Sequence, residues 1–138
     1  MDATSEFEQA VRSHLAPVGH SFGLSLTKLE GRVFAMQNKN VAVKIYFPEC
    51  HGFDVTVCLS RFLIEGWNDR DEYGLCWPLE FLGIKSPLPD RVTSIDEIDT
   101  LVQAYLLPLA NVLHTFASAS PELWAEFGHF YARRISKG

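Results

Sequence analysis

Hydrophobic positions recur along this chain first at helical spacing, then in alternation, then at helical spacing again. Ser5-Glu6-Phe7-Glu8 has the S-x-x-E form of a capping box. Phe7, Val11, His14, Leu15 and Val18 then follow at three- and four-residue intervals. This predicts a first helix over about residues 6 to 16, stopped near Pro17 and Gly19. Candidate strands come next at Leu24 to Leu29 and Val33 to Gln37, separated by a turn at Glu30-Gly31. Asn38-Lys39-Asn40 makes another turn, since Asn tolerates the left-handed region. Val41, Val43, Ile45 and Phe47 then alternate with Ala42, Lys44 and Tyr46. After Pro48 to Gly52, Phe53, Val55, Val57 and Leu59 alternate with Asp54, Thr56, Cys58 and Ser60. The period of two predicts strands with one greasy and one mixed face. Short connections make them an antiparallel meander covered on one side. Trp77, Leu79 and Phe81 alternate around Glu80, which predicts a fifth strand over about 75 to 82, held to the sheet edge by Pro78.

Helical spacing returns after a second capping box, Ser94-Ile95-Asp96-Glu97. Ile95, Ile98, Val102, Tyr105, Leu109, Val112, Leu113 and Phe116 form a long apolar stripe, with a kink or break expected at Pro108. Ser120-Pro121-Glu122 opens the last helix, with Leu123, Trp124, Phe127, Phe130, Tyr131 and Ile135 on its buried face. The order predicts a single α+β domain over residues 1–138: an N-terminal helix, an antiparallel meander of four to five strands, and two C-terminal helices packed on one face.

Composition agrees with a globular chain, since 47% of the residues are hydrophobic and 21% charged. No apolar run approaches the roughly 18 residues of a membrane span. MDATSEFEQA has neither a basic start nor an apolar core, so no export signal is read and a cytoplasmic protein is expected. Cys50, Cys58 and Cys76 form no C-x-x-C pair and are expected as free thiols in a reducing compartment.

Charge changes the picture. Between Glu65 and Asp99 lie nine acids against three bases, a net −6, whereas the rest of the chain has nine bases against eight acids, a net +1. Such a patch repels nucleic acid and steers a basic partner. A solvated loop and a helix start account for part of it: Asp96, Glu97 and Asp99 complement the helix dipole. Within it, EGWNDRDEYGLCW (residues 65 to 77) mixes acids with aromatics, the composition of interface hot spots. The partner-binding candidates are therefore Glu65, Trp67, Asp69, Asp71, Glu72, Tyr73 and Glu80. Trp67 stays open between core anchor and interface, whereas Trp77, on the alternating segment, is assigned to the core.

Chemistry has fewer footholds. His14 and His114 fall on or beside apolar stripes. Gly19-His-Ser-Phe-Gly23 lacks the G-x-S-x-G elbow. Cys50-His51 is a turn in which sequence neighbours rarely reach nucleophile–base geometry. Asp69 to Gly74 lacks the alternating ligands of a calcium loop. No catalytic set, cofactor or metal site is expected.

A small acidic domain built as helix, meander and helices resembles the immunity proteins that neutralise bacterial toxins. The resemblance is one of architecture over the whole chain, without a diagnostic motif. It implies a non-catalytic inhibitor, monomeric or weakly dimeric, whose acidic surface covers a basic toxin domain. A secretion chaperone that holds an effector segment is similar in size and acidity, although its helices are placed differently. A small enzyme using Cys50-His51 or the loop carboxylates is the third class.

Overall fold

The computed structural model describes residues 2–47, 55–61, 72–89 and 97–136. It is an α+β fold with an N-terminal helix, a five-stranded antiparallel sheet and C-terminal helices. The first helix is longer than the capping box suggests. Its N-cap is Asp2, whose carboxylate accepts from the Ser5 N–H at 2.8 Å. Glu8, the acid of the expected box, instead takes Arg12 and Lys28. Helix α1 (Ala3–Ala10) passes through a π-helical stretch (Val11–Leu15) into α2 (Ala16–Ser21). The wide turn comes directly before Pro17. Proline has no N–H to donate and crowds the carbonyl four residues back. Bonding from the Ala16 N–H to the Val11 carbonyl shifts the register ahead of the ring, so the helix survives the proline.

Gly19 does not stop the helix either. It is a contact point: a Cβ there would run into the Sδ of Met36 on the sheet. The stop is Gly23, with φ of 82°. The Leu24 N–H bonds back to the Gly19 carbonyl and the Gly23 N–H to that of His20, a Schellman closure.

Strands β1 (Ser25–Glu30), β2 (Val33–Gln37), β3 (Ala42–Tyr46), β4 (Thr56–Ser60) and β5 (Tyr73–Gly74) pair in sequence order. Met36, Val43, Leu59 and Tyr73 are successive cross-strand partners. They lie on the face that also carries Phe34, Ile45 and Val57. The alternation holds: Val41, Val43, Ile45, Phe47, Val55, Val57 and Leu59 are all buried. Phe53 lies outside the described residues. The opposite face is less open than expected, because Ala35, Ala42, Cys58 and Ser60 are buried there too. Lys44 and Tyr46 project among these short side chains. A lysine stem can cover such neighbours while its charge reaches a partner.

The expected third helix is two. Helix α4 (Ile98–Gln103) ends where the Tyr105 N–H tightens onto Val102, and α5 (Leu106–Phe116) begins after it. Pro108 is the third residue of α5, where its missing N–H would have had no intrahelical acceptor. The break thus precedes the proline by three residues. Ile98, Val102, Tyr105, Leu109, Val112, Leu113 and Phe116 are buried in one cluster with the apolar sheet face. Tyr105 also donates from its hydroxyl to the Val55 carbonyl at 2.8 Å. Helix α6 (Pro121–Ser136) starts as expected, with the Ser120 hydroxyl accepting from the Leu123 N–H. Trp124 and Phe127 are buried, whereas Ile135 is 52% exposed and does not join the core.

Side-chain amides tie the two halves. Asn38 and Asn40 both donate to the Ala117 carbonyl, and Trp124 Nε1 donates to the Asn40 carbonyl at 3.0 Å. The β2–β3 turn is thereby fixed to the turn between α5 and α6. Among the described residues, no helix is long and apolar enough to cross a membrane.

Candidate functional site

The expected strand over 75 to 82 is a helix, α3 (Cys76–Phe81), and only Tyr73–Gly74 adds to the sheet. Leu75 turns the chain out of β5. Pro78 falls in the first turn of the helix, where it loses no intrahelical bond. Gly83, with φ of 70°, closes the end with the same double return as Gly23: Ile84 N–H to Leu79 and Gly83 N–H to Glu80. Trp77 and Phe81 then lie four residues apart on one side of α3, rather than alternating across a sheet.

That side faces α6. Tyr73 packs edge-on against Phe127 and Tyr131, each at 4.9 Å between ring centroids. Trp77 meets Tyr131 at 5.1 Å, and Phe81 meets Phe127 and Phe130 at 5.4 Å. Edge-to-face pairs add to the burial of the rings and fix their mutual angles. The result is a rigid aromatic seam with Phe127 at its buried centre. Trp77, Phe81, Phe130 and Tyr131 stand half-buried around it. Trp77 is therefore partly buried against the core, as the alternation suggested, but from a helix and as part of the seam.

The seven expected partner-binding residues part company. Glu65, Trp67, Asp69 and Asp71 lie outside the described residues, as do Cys50 and His51. Glu72 and Tyr73 are adjacent in an extended segment, so they project to opposite faces of the sheet. Tyr73 joins the seam. Glu72 turns to the mixed face and takes Lys44 Nζ at 2.7 Å, with only 13% of its side chain and 22% of that of Lys44 exposed. Glu80 is exposed and pairs with Arg134 of α6. The structure thus places Glu80 and the outer seam rings together, and sets Glu72 and Tyr73 on opposite faces of the sheet. Sequence reasoning assigned Trp77 and Tyr131 to buried faces and did not pair Trp77 with Tyr131 or Glu80 with Arg134. Their signal is the i, i+3 spacing on each of two helices, visible only once 76–81 is recognised as helical.

Beside α3 lies a groove of about 510 Å³. Cys76, Leu79, Glu80, Ile84 and Leu88 line it. On the mixed face of the sheet, burial first of all pushes the Cys58 thiol up to about 11, and the nearby Glu72 adds to the rise. Cys58 is a neutral thiol near pH 7, without the lowered pKa of a thiolate nucleophile. Burial also raises the Tyr46 phenol. On the far side of the fold, His14 Nε2 meets Asp99 Oδ1 at 2.8 Å, and Gln103 donates to the other carboxylate oxygen. This ties the π-helical stretch to α4. No described group of three or more His, Cys, Asp or Glu could hold a metal ion.

No family model, curated protein or solved structure matches the chain.

Proposed function

We propose that this chain is a non-catalytic protein-binding module of the cytoplasm, an immunity protein that neutralises a basic toxin domain. Its binding surface is the acidic and aromatic region that begins at Glu65 and reaches Glu80. The observation that carries the reading is the seam between α3 and α6. It anchors the C-terminal end of the most acidic part of the chain on interlocked rings, with Trp77 half-exposed and Glu80 at the surface. Dispersed acids raise the association rate of a basic partner, and rigid aromatics supply slow dissociation at little conformational cost. Residues 65 to 80 hold five acids against one base, which gives that steering one location in the sequence.

The test is capture from an extract of the native host at low salt, read by mass spectrometry. The wild-type chain is compared with a Glu65→Gln, Asp69→Asn, Asp71→Asn variant, which leaves the Lys44–Glu72 pair in place. A basic protein retained by the wild type and lost from the variant is the expected result. A partner held equally by both, or an acidic one, contradicts the reading.

A further inference from the structure

Helix α3 and the chain that leaves it line the groove of about 510 Å³. One wall is the helix face that carries Cys76, Leu79 and Glu80, positions three and four residues apart. The other is the return segment from Ile84 to Leu88, entered through the left-handed turn at Gly83. Pro87 in this segment and Pro89 just after it have fixed φ, which stiffens the wall. Leu79 is buried, and Ile84 and Leu88 pack half-buried against the core, so the groove is mainly apolar. Its volume falls within the range of small-molecule sites, about 300–1,000 Å³. Of the two charged residues in the lining, Glu80 already pairs with Arg134. Lys85 is exposed and takes part in none of the described ion pairs. The uncompensated charge at the groove is therefore positive. Ser86, the next residue, also lines it. Its hydroxyl is shielded from solvent and, among the described residues, has no hydrogen-bond partner. Buried hydroxyls are as a rule hydrogen-bonded, so an acceptor bound here would complete this one.

We propose that this groove binds a small amphiphile with an apolar chain and a carboxylate head. The chain lies between Leu79, Ile84 and Leu88, and the head takes the Lys85 ammonium and the Ser86 hydroxyl. One carboxylate has an oxygen for each, and the long lysine stem lets the ammonium reach a head placed beside its neighbour. The lining runs along α3 from Cys76 to Gly83, roughly 10 Å at a rise of 1.5 Å per residue, which suits a chain of about eight carbons. A cationic head is disfavoured, because Arg134 already holds the Glu80 carboxylate and Lys85 is left to repel it. The site does not rest on the protein-binding reading, since none of Glu65, Asp69 and Asp71 contributes to it.

The probe is octanoate, titrated at low ionic strength into the full chain and followed by two-dimensional amide NMR. Octyltrimethylammonium supplies the same chain with the opposite head, and acetate supplies the head without the chain. Octanoate should shift the Gly83, Ile84 and Leu88 amides saturably, and should slow the alkylation of Cys76 by iodoacetamide. Acetate should do neither. Lys85→Gln should weaken octanoate about two- to fivefold, the range an exposed ion pair supports. Lys85 is exposed, so this variant should keep the wild-type thermal midpoint. Ser86→Ala should also weaken octanoate without lowering the midpoint, because its hydroxyl bonds to nothing else described in the fold. Octyltrimethylammonium binding as well as octanoate overturns the proposal, since the groove would then have no preference for an anionic head. Unchanged octanoate binding in Lys85→Gln overturns it too, and so do shifts that never saturate or that miss the groove.

Discussion

Lys44 on β3 holds Glu72 at 2.7 Å across the mixed face of the sheet. Glu72 directly precedes β5, so this pair ties the start of that strand to β3. Both side chains are largely shielded, and removing one takes the ion pair from the other in a partly desolvated place. Lys44→Ala should therefore cost about 1–3 kcal/mol, somewhat below the cost of breaking a fully buried pair. The double variant Lys44→Met/Glu72→Leu should recover part of the loss. Urea midpoints of the wild type, the two single variants and the double variant check this. Equal midpoints in all four would show that the pair is a surface ornament.

Val57, the second residue of β4, faces the helices and is 3% exposed. Truncation to alanine removes two methyl groups and leaves a space between sheet and helices. Val57→Ala should cost about 1–3 kcal/mol in chemical denaturation. A change within error of zero would place the register on the other face.

Cys58 sets a pH limit. Its thiol ionises near 11 in the fold, against an ordinary value of 9.0, because burial disfavours the thiolate. Between those values the unfolded chain releases a proton that the folded chain retains. Stability from this group is complete below about pH 9 and falls as pH rises toward 11. Cys58→Ala should flatten that limb of the stability–pH curve. In the native protein at pH 8, iodoacetamide should modify the exposed Cys76 before Cys58, read by peptide mass mapping. Faster labelling of Cys58 would contradict its burial.

Much of the fold was legible because the greasy face of the sheet and the long helical stripe obey their own periods. Val41 to Phe47 and Val55 to Leu59 alternate cleanly, and the stripe from Ile98 to Phe116 is buried in full where expected. The failures have physical causes. Ser5-x-x-Glu8 has the capping form, but Asp2 caps the helix and Glu8 finds two cations instead. Pro17 ends most helices, but a π-helical stretch absorbs it here. Trp77-Pro-Leu-Glu-Phe81 is too short for periodicity to separate strand from helix. The better signal was Pro78 followed by Gly83, a proline near the start of a helix and a glycine just past its end. The candidate site inherited that error. Read as a strand, the segment made Trp77 core and set Glu80 on the opposite face, with the acidic stretch. Read as a helix, it puts both against α6. Glu72 and Tyr73 looked like one surface in sequence, but the pleat sends them to opposite sides.

Trp67 is the sharpest test of interface against core in the acidic stretch. Trp67→Ala should leave the thermal midpoint nearly unchanged and speed partner dissociation, by about 2 kcal/mol or more if the ring is a hot spot. A collapsed midpoint with unchanged partner affinity would make the residue a structural anchor.

The central claim is electrostatic capture of a basic protein by the acidic stretch. Its most direct measurement is the association rate of the captured partner as a function of salt. The wild-type chain is compared with the Glu65→Gln, Asp69→Asn, Asp71→Asn variant. The wild type should associate fast at low salt and slow steeply as salt rises, and the variant should associate slowly with a nearly flat dependence. Identical rates and identical salt slopes in the two proteins would contradict the account.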